Sequence, residues 1–131
     1  AQIFTEAASR VKTRIHCKLF EWSLANMLAA AQLSDWAIIP SDPNHRTKRH
    51  VSTNRLMTAF AMGLPTAASL IPSYLPHAAY FQNIDQFFTP NDWTNLSQVS
   101  ALTKRAQREV LPRYSAQHLA AKWQSCVANY L

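Results

Sequence analysis

Apolar and polar positions change period several times along this chain, and each change marks an element. Over residues 14–20 the pattern alternates, with Ile15, Cys17 and Leu19 on one side, which predicts a strand. Residues 23–33 carry Leu24, Met27, Leu28 and Ala31 at helical spacing and predict a helix. The apolar run Trp36-Ala37-Ile38-Ile39 predicts a strand over 35–40, closed by Pro40. The Ser-Asp-Pro-Asn run opens a loop over 41–50. A helix follows over 52–62, with Leu56, Ala59, Phe60 and Gly63 on one face and Ser52 as its expected cap. Gly63, the only glycine, is suited to end that helix, and Pro65 cannot continue it. Residues 66–70 are small and apolar, as in a strand covered on both faces. A short helix is predicted over 76–81 and a strand over 86–89. A long helix runs over 93–110, introduced by Pro90-Asn91-Asp92 and ended by Pro112. The last helix spans 115–129, capped by Ser115, with Leu119, Trp123 and Val127 on one face. Residues 1–13 read as an extension, helical or ill-ordered, with Ile3, Ala7 and Val11 sharing a face.

Strands that alternate with helices indicate an α/β domain with a parallel sheet. The expected architecture is a Rossmann-like three-layer domain, with a parallel sheet of about four strands and C-terminal helices. Ligands of such sheets bind beyond the carboxyl ends of the strands. The 41–50 loop leaves such an end and leads to a helix amino end, where free N–H groups and the helix dipole favour an anion.

At 131 residues the chain is read as one domain with a substantial core. Its 48% hydrophobic and 15% charged residues are those of a globular protein. A single glycine excludes a P-loop and a dinucleotide fingerprint, which each need several in a short span. Cys17 and Cys126 lie far apart, without metal or redox spacing, and are expected to be reduced, buried thiols of a cytoplasmic protein. No apolar run approaches the roughly eighteen residues of a membrane span. The polar, mixed amino-terminal residues do not read as a signal peptide.

The net charge of +6 is concentrated in two places. Arg46, Lys48 and Arg49 crowd the loop with His45 and His50, and Arg55 follows on the helix. Lys104, Arg105, Arg108 and Arg113 form the second group. The first group, beside a helix start, suits a phosphorylated ligand. The second is an exposed helix face or a contact for an anionic membrane surface. Nucleic acid is an unlikely partner, because RNA-recognition signatures are absent and aromatics do not interleave with the basic residues. His16, His77 and His118 are isolated and read as structural or surface residues. Asp42 reads as a turn residue, and no metal site is visible. Trp22, Trp36, Trp93 and Trp123 read as core or lobe-interface residues.

Several runs resemble the carboxyl-terminal, donor-binding lobe of GT-B fold glycosyltransferases. They are Asp35-Trp36-Ala37-Ile38-Ile39-Pro40-Ser41-Asp42-Pro43, Ser52-Thr53-Asn54-Arg55-Leu56, Ala59-Phe60-Ala61-Met62-Gly63-Leu64-Pro65, Ala68-Ser69 and Pro72-Ser73-Tyr74. The resemblance implies that residues 1–131 are part of one such lobe, holding a nucleotide diphosphate-sugar donor for glycosyl transfer to a saccharide or other acceptor. It implies no cofactor and no bound metal. The donor and phosphate contacts would come from Arg46, Lys48, Arg49, Ser52, Asn54, Arg55 and Thr58. Many retaining members carry two glutamates around this helix, and His50 and Thr58 stand at those positions here. The acceptor lobe is not within this chain, so its complement would be a second lobe, a second chain or a homodimer. The family also implies a cytoplasmic place, at the inner face of a membrane where the acceptor is lipid-linked. Two other readings stand beside this one: a non-catalytic glycosyltransferase-like binding or assembly module, and a basic nucleic-acid-binding domain.

Overall fold

The computed structural model describes residues 18–47, 51–84 and 96–128. By its internal contacts the chain divides into two units, residues 1–33 and 34–131.

In the first unit, helix α1 spans Leu24–Gln32. Ser23 caps it: its hydroxyl accepts the Asn26 amide at 3.1 Å from an extended backbone, as the sequence predicts. The expected apolar stripe of α1 is not a buried one. No residue of the helix is buried, and Leu24 and Leu28 are 64% and 47% exposed. Residues 18–20, expected to end a strand, have no regular structure; the rest of that expectation, like the 1–13 extension, lies outside the described residues. Trp22 is 87% exposed, so it is not a core residue.

The second unit holds an open three-stranded parallel sheet in the order β1-β2-β3. Strand β1 is Ala37–Ile39, β2 is Thr66–Ala68 and β3 is Gln82–Asn83. Ala37, Ile38 and Ile39 pair with Thr66, Ala67 and Ala68, and Ala67 and Ala68 pair with Gln82 and Asn83. All three residues of β2 are buried, as their small apolar side chains predict. On β1, Ile39 joins the core while its neighbour Ile38, on the other face, stays 45% exposed. β3 falls at 82–83, whereas the predicted strand at 86–89 lies outside the described residues.

Helix α2, Asn54–Ala61, crosses between β1 and β2 and packs on both. Leu56, Met57, Ala59 and Phe60 are its buried residues. They meet Ile71, Tyr74 and Phe81 from the segment after β2, Ala106 from helix α3, Leu96–Glu109, and Val110 just after it. Tyr74 and Phe81 pack edge to face, 6.3 Å between ring centres. A six-residue 3₁₀ helix, Leu75–Tyr80, stands where the sequence predicts a short helix. A second 3₁₀ turn, Leu111–Tyr114, carries Pro112 and leads into α4, Ala116–Ala128. Ser115 caps α4 by accepting the His118 amide at 3.2 Å.

The end of α2 follows from one residue. Gly63 has φ of +75°, a conformation that costs any residue with a Cβ. The turn lets the Leu64 amide reach the Ala59 carbonyl and the Gly63 amide reach the Phe60 carbonyl, which together make a Schellman closure. Two carbonyls around it take a second bond from α3. Gln107 Nε2 donates to the Phe60 carbonyl at 2.9 Å, and the buried Thr103 hydroxyl lies 3.1 Å from the Leu64 carbonyl.

One expectation about the last helix fails, that of a buried Cys126, which is an exposed free thiol. Leu119, Trp123 and Val127 do share a face; they are 44%, 72% and 51% exposed, and no residue of α4 is buried. Periodicity identifies an apolar face; it does not supply the surface that would cover it.

Candidate functional site

The candidate site lies at the carboxyl end of the sheet. Because β1 and β2 are parallel and α2 connects them, α2 must start at that end. The loop 41–47 leaves β1 there, and the 69–74 segment leaves β2 beside it. One bond fastens the two exits together: the Ser69 hydroxyl accepts the Ser41 amide at 2.8 Å. The Ser69 amide in turn donates to the Ile39 carbonyl at 3.2 Å.

The start of the loop is shaped by Asp42, which works as the turn residue its sequence context predicts. Its carboxylate accepts the Asn44 amide at 2.9 Å, and its carbonyl accepts the His45 amide at 3.2 Å. Thr47 Oγ1 and His45 Nδ1 are 3.0 Å apart. Arg46 is exposed on this loop. Lys48 and Arg49, the other basic residues expected here, lie outside the described residues, as does His50.

Ser52 does not cap α2. The helix begins after Thr53, whose own φ and ψ of −70° and −4° are already helical, and no side chain makes a cap bond. A helical Thr53 removes the extended geometry that a cap residue needs to turn its oxygen onto the first-turn amides. Among the described residues, no acceptor meets the amides of Asn54, Arg55 and Leu56. The helix therefore starts with open donors and the positive end of its dipole. Arg55 is exposed on this first turn, as is Asn54.

Thr58 is half-buried, one turn further on. Its hydroxyl donates to the Asn54 carbonyl at 2.8 Å, so its proton is committed within its own helix. It stands where the resemblance would place a ribose-binding carboxylate, yet only its lone pairs are left to offer a ligand.

Two further polar residues belong to this end of the sheet, and the expected contact set omits both. Tyr74 is fully buried, and its hydroxyl has no hydrogen-bond partner. Ser73 Oγ is likewise buried and unpartnered. Burial pushes the Tyr74 phenol above its ordinary pKa, and the nearby positive charge of Arg55 acts in the opposite direction. The available signal was position, since residues just past the carboxyl end of a buried parallel strand line the crevice where ligands bind.

Arg55, Asn54, Ser52, Thr58 and Arg46 thus fall on the segment between β1 and β2 that the sequence singles out. The second basic group is elsewhere, on α3 and the 3₁₀ turn after it. There Arg105 pairs with Glu109 at 3.2 Å and lies over the Tyr80 ring, 4.8 Å from its centre. Among the described residues no three His, Cys, Asp or Glu side chains gather as a metal site would require, and no helix is long and apolar enough to cross a membrane. No family model matches the chain, and no curated protein or solved structure matches it either.

Proposed function

We propose that this chain is part of the donor-binding lobe of a GT-B fold glycosyltransferase and binds a nucleotide diphosphate-sugar. The observation that carries the reading is the open amino end of α2 at the carboxyl end of a parallel sheet. A basic loop enters it and Arg55 stands on its first turn. Transfer of a sugar builds negative charge on the departing diphosphate. Free amides, a helix dipole and fixed cations stabilise that charge without a proton transfer. Arg46, Lys48, Arg49 and Arg55 supply the cations, and Ser52 and Asn54 border the amides. In this reading the domain is Rossmann-like and three-layered, with a fourth strand. The half-exposed Ile38 on the outer face of β1 is the position a further layer would cover. The acceptor side comes from a second lobe or a second chain, working at the cytoplasmic face of a membrane where the acceptor is lipid-linked.

A second reading, a non-catalytic module of the same ancestry, is favoured by Thr58. A hydroxyl bonded back to Asn54 holds a ribose less firmly than an ionised carboxylate would.

Calorimetric titration of UDP, GDP and ADP, with their sugar conjugates, tests the donor reading. The expected result is saturable binding of one base, lost when Arg46, Lys48 and Arg49 are changed to alanine. Binding of no nucleotide in preference to pyrophosphate overturns it.

A further inference from the structure

We propose that α4 is one half of a parallel helix pair whose other half is α4 of a second copy of this chain. The inference stands apart from the donor reading and rests on different residues. Helix α4 is 13 residues long and buries none of them. A helix of that length is marginal in water when nothing covers its apolar face. Leu119, Trp123 and Val127 are open on that face, in a helix whose only Lys, Arg, Asp or Glu is Lys122.

The shape of the face says what fits it. Leu119, Lys122, Trp123 and Cys126 ring a hollow of about 190 Å³. They stand at i, i+3, i+4 and i+7, which on a helix surface are the four corners of a hole for one side chain of a facing helix. In heptad terms Leu119 and Cys126 occupy d, Lys122 occupies g and Trp123 occupies a. A parallel pair sends into such a hole the a-position side chain at the same level of the other helix, here Trp123 of the second copy. Knob and hole are thus carried by one helix in one register, as a self-paired, two-fold surface requires.

Charge fixes the direction. In the parallel pair a g residue faces the next e residue of the other helix, so Lys122 meets Val127 of the second copy and its methylene stem covers that valine. In an antiparallel pair g faces g, and Lys122 would meet its own charge. The parallel pair also sets Cys126, an exposed free thiol, level with Cys126 of the second copy on the seam. An anionic membrane also takes apolar helix faces, but it draws helices rich in cations, whereas α4 carries one. So short a seam buries little area, and the pair dissociates on dilution.

The test uses the full chain with Cys17→Ser, which leaves Cys126 as its single thiol. Sedimentation equilibrium is run from micromolar to millimolar protein under reducing conditions. In parallel, the rate of covalent dimer formation under diamide is read on non-reducing gels. Diamide takes the two hydrogens of two thiols onto its N=N bond and leaves a disulfide. The expected result is a concentration-dependent dimer that cross-links through Cys126. Trp123→Ala changes a largely exposed side chain outside the core, and is expected to weaken the dimer at least about tenfold and to slow cross-linking in proportion. A monomer throughout the range overturns the proposal, as does a dimer that ignores Trp123→Ala. A dimer whose Cys126 thiols do not cross-link overturns it too, because the helices then pair in another direction. Vesicles of phosphatidylglycerol are added in a further run. A monomer that sediments with them through Trp123 gives the face to a membrane, and the proposal fails. None of these readouts involves a nucleotide, so failure here leaves the donor reading untouched.

Discussion

The side-chain amide of Gln107 donates to the carbonyl of Phe60 across 2.9 Å, joining α3 to the last turn of α2. That carbonyl already accepts the Gly63 amide at 3.0 Å, so Gln107 fills its second lone pair. Thr103 does the same for Leu64 one turn earlier on α3. The long helix therefore contributes hydrogen bonds as well as apolar area to the core.

Replacing Thr103 with valine keeps the shape and removes the hydroxyl. The Leu64 carbonyl would keep its bond from Thr66 at 2.8 Å, so the loss is partial. A destabilisation of about 1 kcal/mol is expected from urea unfolding. Gln107→Ala removes one of two donors to the Phe60 carbonyl, which keeps the Gly63 amide, and is likewise expected to cost about 1 kcal/mol.

Gly63→Ala is expected to cost about 1–2 kcal/mol. A Cβ there would find only Gln107 Nε2, at an ordinary 3.5 Å, so the penalty is one of backbone conformation and not of space. Gly63→Asn should lose less than Gly63→Ala, because asparagine tolerates the left-handed region. Thermal melts of the two variants side by side check the order.

Three serines stand before helices, and their variants separate real caps from apparent ones. Ser115→Ala and Ser23→Ala each remove an observed cap bond and are expected to lose about 1 kcal/mol of local helix stability. Ser52→Ala is expected to change little, since Ser52 makes no cap bond in the structure. Amide hydrogen exchange in the first turns of α1, α2 and α4 reads all three.

His77 lies 3.1 Å from the Tyr114 hydroxyl and packs edge to face on its ring. Burial, and then the charge of Arg113, hold its pKa below the ordinary 6.5. The unfolded chain therefore binds this proton more readily than the folded one. The contribution is complete above about pH 6.5 and diminishes as the pH falls through that value towards the lowered folded pKa. Unfolding free energy measured from pH 7.5 to pH 5 should decline, and His77→Gln should flatten that decline.

The sequence made the centre of the fold legible and its margins less so. β1, α2, the Gly63 stop and β2 were readable because each is written by local chemistry: an apolar run, a helical stripe, a residue free to take positive φ, a proline. β3 was not, since Gln82 and Asn83 are amide side chains with little strand preference, and only pairing with Ala67 and Ala68 makes them a strand. The stripes of α1 and α4 were visible as patterns, yet their burial depends on surfaces that the pattern does not specify. At the site, Arg55 and the helix start were legible, whereas Ser52 was misread because its type suits a cap but the backbone turns helical one residue later. Ser73 and Tyr74 lie in a run of the resemblance but outside the contact set it implies. Their interest comes from unmet hydrogen bonds, which exist only in three dimensions.

The bond from the Ser41 amide to the Ser69 hydroxyl draws a boundary in the chain. Strand β1, which ends just before Ser41, answers to the sheet, and a change there must satisfy its register with β2. Beyond that pin, the stretch leading to α2 answers only to what it touches. Its length and composition are thus open to revision without disturbing the strands, so related chains can diversify their ligands by rewriting one short insert while inheriting the frame unchanged.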